Sequence, residues 1–189
     1  MSWQTDETGY FEVKLPWKMN PDTLENNRSQ AESRDLKLTK SLEKKPEILH
    51  LFQQQIDEMV SVGILKKVEP DYPKRYLPLL AVVNMDKESC KVRVCLDSKA
   101  KYKGLSFNDA LLKGKTDMMD IFIGLTRFRA EKHALLGDIK RMFWQIRLSP
   151  EDVQFQGVIW HRETYVFTRV SFGGKNNCPP NCRLRHTKN

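Results

Sequence analysis

A stripe of apolar residues between Pro46 and Gly63 limits the folds open to this chain more than any other feature of its sequence. The stripe recurs at three- and four-residue steps, the spacing of one helix face, and consists of Ile48, Leu49, Phe52, Ile56, Met59 and Val60. Proline is favoured in the first turn of a helix and glycine just after the last turn. The pattern therefore predicts a buried helix over residues 46–62.

Short strand-like runs follow this helix, namely ILKKV, LPLLAVV and KVRVCLD, separated by charged or proline-containing turns. A second helix is predicted across TDMMDIFIGLTRFRAEK, followed by an apolar strand, ALLGD. Beyond Pro150, FQGVIW and TYVFTRV are rich in β-branched and aromatic residues and flank a polar HRE, which is typical of a hairpin. Because helices and strands interleave irregularly, we predict an α+β fold with an antiparallel sheet and packed helices.

The charge of the chain favours polyanionic partners. Its 189 residues carry a net charge of +8, which favours nucleic acid first and an anionic membrane second, although solvated lysines on an ordinary basic protein would give the same total. No run approaches the roughly 20 apolar residues of a membrane span, and the polar N-terminus does not resemble a secretory signal. The four cysteines are too few for a disulfide-stapled secreted domain, so we expect reduced thiols and an intracellular protein, cytoplasmic or nuclear.

Two short motifs suggest chemistry that their surroundings do not support, and two protease motifs are missing from the sequence. Gly114–Thr116 has the ending of a phosphate-binding P-loop, but Asp109 stands where that loop needs its first glycine. Cys178, Cys182 and His186 are spaced as zinc ligands, yet a closed structural zinc site needs four. Neither the triplet of an aspartic protease nor the HExxH pair of a metalloprotease occurs.

The stretch LLGDIKRMFWQIRLSPED places a single carboxylate, Asp138, at the end of an apolar run. Its local pattern permits two interpretations. Asp138 could be the N-cap of a helix, because aspartate often accepts hydrogen bonds from the free N–H groups of a first turn. Alternatively, an acid at a strand end can hold a metal ion at the rim of a sheet. Caps are the commoner of the two, so this stretch alone favours the cap.

Around Asp138 the stretch resembles the first catalytic motif of retroelement reverse transcriptases. Five other stretches, YFEVKLPW, NNRSQAESR, HLFQQQIDEMVSVGILKKVE, VRVCLDSKAKYKGLSFNDALLKG and YVFTRVSFG, resemble in order the BEL/Pao branch of long-terminal-repeat retrotransposons. The resemblance covers roughly residues 8–173. It implies the fingers and the first part of the palm of a right-hand polymerase, belonging to the pol polyprotein of such an element.

The resemblance also implies roles for individual residues. Asp138 would bind Mg²⁺ or Mn²⁺ and take part in catalysis, with the carbonyl of Ile139 as a further metal ligand. Phe143 would screen the sugar of the incoming nucleotide. The fingers would bring Arg93, with Lys87 as a second candidate, onto its triphosphate, and the wall of the nucleotide pocket would consist of Phe172 and Gly173. The implied partners are an RNA or DNA template–primer and a deoxynucleoside triphosphate, with no membrane. Core packing is an alternative role for Phe172.

The family pattern stops at Gly173. The sequence contains no pair of adjacent aspartates, although the family carries an aromatic followed by two aspartates on a later hairpin. We therefore predict an N-terminal extension over 1–45, partly ordered, fingers and partial palm over 46–173, and a basic disordered tail over 174–189. We expect this chain to have no polymerase activity by itself. The alternatives are a non-enzymatic nucleic-acid-binding fragment and a translated remnant that does not fold.

Overall fold

The computed structural model describes residues 4–5, 9, 11–86, 89–112, 120–130, 132–133, 135, 137 and 142–171. In these ranges the strands are β1 Gln4–Thr5, β2 Phe11–Val13, β3 Leu65–Lys67, β4 Leu79–Asp86, β5 Ser89–Leu96, β6 Lys101–Tyr102, β7 Leu105–Ser106, β8 Ile146–Leu148, β9 Gly157–Trp160 and β10 Glu163–Phe167. The helices are α1 Arg28–Glu43, α2 Pro46–Ser61, α3 Ile121–Ala130 and α4 Pro150–Val153. Helices and antiparallel strand pairs alternate irregularly, so the predicted α+β class is confirmed.

Helix α2 forms where its apolar stripe predicted it. Pro46 lies in its first turn, and the chain leaves the helix through Gly63, whose φ of 71° is readily adopted by glycine. Phe52, Ile56 and Met59 on one face of α2 are buried. They belong to a main core that also includes residues of α1, β3, β4, β5 and β9. This core holds the two longest helices against the strands.

The strands form two sheets of three and two separate hairpins. One sheet has the order β3-β10-β9 and is antiparallel, with the predicted hairpin of β9 and β10 at its edge and centre. The other has the order β1-β2-β8, in which β2 and β8 run parallel although about 130 residues separate them. The remaining pairs, β4 with β5 and β6 with β7, are antiparallel hairpins.

Residues 11–45 contribute to the same core as the rest of the chain. Leu24 and Leu42 are buried members of the main core, and Leu15 and Trp17 pack against it. The predicted boundary at residue 46 stays a prediction, but the part of the predicted extension that the structure describes is packed. The predicted tail, 174–189, lies outside the described residues.

A second apolar group, here called the β8 cluster, lies beside the main core. Its buried members are Ile146, Leu148, Val153, Val166 and Val170, and Val13, Leu15, Val68 and Phe143 pack against them. The cluster thus joins β2, β8 and β10. The segment that follows β2 is held by Asp152 of α4, whose carboxylate accepts hydrogen bonds from Leu15 N at 2.7 Å and Trp17 Nε1 at 2.7 Å. The same carboxylate accepts from Ser149 Oγ at 2.9 Å.

The β9–β10 turn is held by a carboxylate from α1. His161 and Arg162 have φ values of 50° and 66°, a left-handed conformation that side chains with a Cβ adopt only at a cost. Both backbone N–H groups donate to Asp35, at 3.3 Å and 3.2 Å, and the His161 ring stacks on Trp160 with centroids 4.2 Å apart. The buried Asp35 therefore stabilises a turn type that usually contains glycine or asparagine.

Gly157 lies where β9 meets the loop before β4, and a side chain does not fit there. A Cβ at this position would lie 2.5 Å from Pro73 Cβ and 3.0 Å from the Arg75 carbonyl oxygen. We expect Gly157→Ala to lower the free energy of unfolding by about 1–3 kcal/mol, the usual cost of overpacking. Chemical denaturation measures this loss. Gly137→Ala is the matched control, since a Cβ there meets nothing within 4 Å, and equal stability of the two variants would contradict the expectation.

The structure shows a local role for Asp109 and corrects one prediction further along the chain. Asp109, which excluded the P-loop, forms a capping box with Ser106, donating and accepting atoms lying 2.7–3.2 Å apart. The run ALLGD was predicted to be an apolar strand, and this is wrong for its two described residues: neither Leu135 nor Gly137 lies in a strand, and the Leu135 side chain is 98% exposed. The preceding helix α3 likewise has no buried residue.

Candidate functional site

The β4–β5 hairpin presents Arg93 to solvent. Successive side chains of a strand point to opposite faces, so Val92, Val94 and Leu96 are buried against the main core while Arg93 is exposed. Across the hairpin Arg93 is paired with Val82, which is also exposed, as is Leu80. The predicted phosphate ligand therefore lies on the open face of a hairpin whose other face is anchored.

Two residues that follow Arg93 in the sequence, Cys95 and Asp97, could be expected to interact with its guanidinium. Burial raises the pKa of the Cys95 thiol, and the positive charge of Arg93 opposes that shift. At neutral pH the thiol is therefore protonated. Asp97, four residues after Arg93, instead accepts from Arg34 Nη2 at 3.5 Å and from Lys99 N at 3.2 Å. The guanidinium of Arg93 thus lies beside a neutral thiol, while Asp97 binds other groups.

The backbone on either side of Arg93 is held by Gln55 of α2. The side-chain amide nitrogen of Gln55 donates to the Val92 carbonyl oxygen, and its oxygen accepts from Val94 N at 3.1 Å. These groups point away from β4 and would otherwise be the open edge of the hairpin. One carboxamide therefore supplies both hydrogen bonds that a neighbouring strand would make at this point.

Phe143 lies in the short 3₁₀ turn Met142–Gln145 immediately before β8 and is half-buried on the β8 cluster. On the far side of β8, Leu148 N donates to Thr168 O and Val170 N donates to Ile146 O, both at 3.0 Å. Residues 168–170 therefore lie beside β8. Phe143, five residues after Asp138, and Val170, two residues before Phe172, pack on the same cluster.

The other predicted site residues, Asp138, Ile139, Lys87, Phe172 and Gly173, lie outside the described residues. Their roles stay predictions. Of the two site residues that are described, Arg93 lies on the β4–β5 hairpin over the main core, whereas Phe143 lies on the β8 cluster. Within the described ranges no group of three or more His, Cys, Asp or Glu side chains is placed to hold a metal ion.

One buried arginine has a structural role and is no candidate for binding phosphate. Arg75 is 1% exposed, and its guanidinium donates to the carbonyl oxygens of Glu25 at 2.8 Å and Leu105 at 3.0 Å. Burial lowers the pKa of Arg75 from its usual range. Arg75 thus cross-links the segment before α1 to β7.

The polar side chains that position the site are not evident from the sequence. Gln55 is there only a polar residue of the predicted helix, and Asp35 and Asp152 look like ordinary surface acids. A weak signal exists for Gln55, because it follows Phe52 by three residues and so borders the apolar stripe. For Asp152 the spacing from Ser149 is that of a capping box and marks only its local bond to Ser149 Oγ, not its bonds to Leu15 and Trp17. No comparable spacing marks Asp35, whose partners His161 and Arg162 are far away in sequence.

Three solved structures of foamy virus proteins are similar to the chain. The protease-reverse transcriptase dRH in complex with double-stranded DNA is 20% identical with a TM-score of 0.49, over 65% of this chain and 20% of that one. The protease-reverse transcriptase in complex with double-stranded DNA is 20% identical with a TM-score of 0.48, over 66% and 24%. The CSH mutant of the prototype foamy virus protease-reverse transcriptase is 19% identical with a TM-score of 0.49, over 69% of this chain and 16% of that one.

This chain therefore spans no more than about a quarter of the length of those proteins. No family profile matches the chain, and no curated protein matches it. Among the described helices, none is both long enough and apolar enough to cross a membrane.

Proposed function

We propose that the chain forms the fingers and the first part of the palm of an RNA-directed DNA polymerase of the BEL/Pao type. Its partners would be an RNA or DNA template–primer and a deoxynucleoside triphosphate with Mg²⁺ or Mn²⁺. The ordered series of motifs, which covers roughly residues 8–173, supports this assignment. YFEVKLPW includes β2, NNRSQAESR includes the start of α1, and VRVCLD includes the end of β5.

The observation that carries the proposal is the pairing around β8. It packs Phe143 and Val170 on one apolar cluster, although 27 residues separate them in the sequence. Phe143 follows Asp138 by five residues, and Val170 precedes Phe172 by two. The proposal places the sugar-screening aromatic and the pocket wall close together, and the packing of Phe143 and Val170 supports that placement.

The β4–β5 hairpin would supply the charge that binds the triphosphate. Arg93 is exposed on the open face of an anchored hairpin, and an arginine binds phosphate through a planar fork of N–H groups. Lys87, which falls between β4 and β5 in the sequence, would be a second and weaker ligand acting as a point charge. Both lie in a protein of net charge +8, which draws a polyanion toward it.

Asp138 and the carbonyl of Ile139 would bind the metal ions of nucleotidyl transfer. When bound, these ions stabilise charge on the attacking 3′ oxygen and on the leaving pyrophosphate. The aromatic–Asp–Asp motif that the resemblance leads us to expect is not among the 189 residues, which contain no adjacent aspartates. Incorporation of nucleotides is accordingly expected only from a polypeptide that carries both Asp138 and that motif.

Binding of a deoxynucleoside triphosphate with Mg²⁺ at low ionic strength, measured by titration calorimetry, tests the proposal on the chain itself. We expect Arg93→Ala to weaken binding about 10- to 100-fold, because hydrogen bonds to charged groups contribute about 1.5–3 kcal/mol each. Arg162→Ala removes another exposed arginine, outside the β4–β5 hairpin, and should leave the affinity unchanged. Equal affinities for both variants would refute the role of Arg93.

Non-enzymatic binding of nucleic acid is the second candidate, favoured by the exposure of Arg93 in a basic chain. It predicts binding of a labelled oligonucleotide without added metal, with affinity that falls as salt rises. Arg93→Ala should make that salt slope shallower by about 0.7–0.9 log units for each phosphate that the protein no longer neutralises. Strong oligonucleotide binding together with no triphosphate binding would favour this candidate over the polymerase.

A further inference from the structure

We propose that Gln55 is a positioning residue for Arg93, fixing the direction in which the guanidinium leaves the hairpin. This inference rests on the proposed function, because it assumes that Arg93 binds the triphosphate. Gln55 itself lies on α2, is partly buried and contacts no ligand in this role. It acts only through the backbone of β5.

The hydrogen bonds of Gln55 lie on either side of Arg93 in β5. Its amide nitrogen and oxygen bind the carbonyl of Val92 and the N–H of Val94, the two peptide groups that flank Arg93 and face away from β4. On its other edge β5 is paired with β4, with Arg93 opposite Val82. The backbone at Arg93 is therefore held from both edges.

This double restraint matters because a two-stranded hairpin is a weakly constrained unit, and its strands twist more than those of larger sheets. The side chains of Val92 and Val94 anchor one face in the main core, while Gln55 fixes the hydrogen-bonding edge. Arg93 consequently starts from a defined backbone, so less conformational freedom is lost when its fork binds phosphate.

A merely structural role for Gln55 predicts a different result, and α2 supplies the control. Gln53 is also a glutamine with two side-chain hydrogen bonds, accepting from Trp160 Nε1 at 2.8 Å and donating to Asp57 Oδ1 at 2.7 Å. Neither bond involves the β4–β5 hairpin. Gln53→Met thus removes similar interactions from the same helix without freeing β5.

The test is calorimetric titration of a deoxynucleoside triphosphate with Mg²⁺ into five proteins: wild type, Gln55→Met, Gln53→Met, Arg93→Ala and Gln55→Met/Arg93→Ala. We expect Gln55→Met to weaken binding about three- to tenfold and Gln53→Met to leave it unchanged. In the Arg93→Ala background, Gln55→Met should have no further effect. Equal loss of affinity in Gln55→Met and Gln53→Met, or the same loss without Arg93, would overturn the inference.

The outcomes separate this inference from the proposed function. If Arg93→Ala weakens binding and Gln55→Met does not, only the role of Gln55 is wrong. If Arg93→Ala has no effect, both are wrong. Should Gln55→Met not fold, hydrogen exchange of the Val94 amide in the wild type replaces it. Coupling is reciprocal, so the triphosphate should slow this exchange, and an unchanged rate would overturn the inference.

Discussion

Replacing Asp152 with alanine is expected to lower the free energy of unfolding by about 2–5 kcal/mol, because it leaves two N–H donors without an acceptor. The Asp152 carboxylate accepts from Leu15 N and Trp17 Nε1, both at 2.7 Å, and from Ser149 Oγ at 2.9 Å. The bonds from Leu15 and Trp17 join α4 to a segment some 135 residues earlier. For a protein of this size the loss corresponds to about 5–15 °C in Tm.

The neighbouring Glu151 provides the control. It forms an ion pair with Lys14 at 3.1 Å, and both side chains are at least 70% exposed. Such a surface pair contributes at most about 1 kcal/mol, so Glu151→Ala should change Tm little. The two variants remove adjacent carboxylates that bind the same N-terminal segment. Thermal unfolding of both therefore compares the stability contributed by buried hydrogen bonds with that contributed by an exposed ion pair. Similar shifts in Tm would show that the hydrogen bonds of Asp152 are not what holds the segment.

Asp152→Asn is expected to fall between these two. The amide keeps one oxygen as an acceptor but presents an NH₂ group to a second donor, so one of the three bonds becomes a repulsive contact. A variant as stable as the wild type would indicate that a single acceptor is enough at this site.

Local elements of the fold could be predicted from the sequence because their signals are local. The spacing of Phe52, Ile56 and Met59 defines a helix face by itself, and β9 and β10 are joined by a short polar turn. The parallel pairing of β2 with β8 leaves no such signal, since neither strand of three residues specifies a partner about 130 residues away.

The candidate site divides in the same way. The exposed position of Arg93 follows from the alternation of KVRVCL, in which the flanking valines are buried. The long-range hydrogen bonds of Gln55, Asp35 and Asp152 do not follow from any sequence pattern. These side chains bind backbone groups that only the tertiary structure brings near them. The resemblance assigns Phe143 to the nucleotide, and its packing on the β8 cluster is a contact that its sequence neighbours do not predict.

Asp138→Asn is expected to lower nucleotide incorporation about a thousandfold or more in a polypeptide that joins these residues to an aromatic–Asp–Asp hairpin. Removing a metal-binding carboxylate costs several kcal/mol of transition-state stabilisation, and each 1.36 kcal/mol is about a factor of ten in rate. Primer extension on an RNA template with Mg²⁺ measures the effect. The N-cap interpretation predicts something else: asparagine is as good a cap as aspartate, so the variant would keep its activity and its stability.

The thermal stability of the same variant completes the test. If Asp138 holds metal, Asp138→Asn should lose incorporation while its Tm without metal stays close to that of the parent. Leu135→Asn is a suitable control, because that side chain is 98% exposed three residues earlier and should tolerate the change. Full activity in Asp138→Asn would remove the polymerase assignment of Asp138. Loss of activity together with a large loss of stability would instead assign Asp138 to the fold.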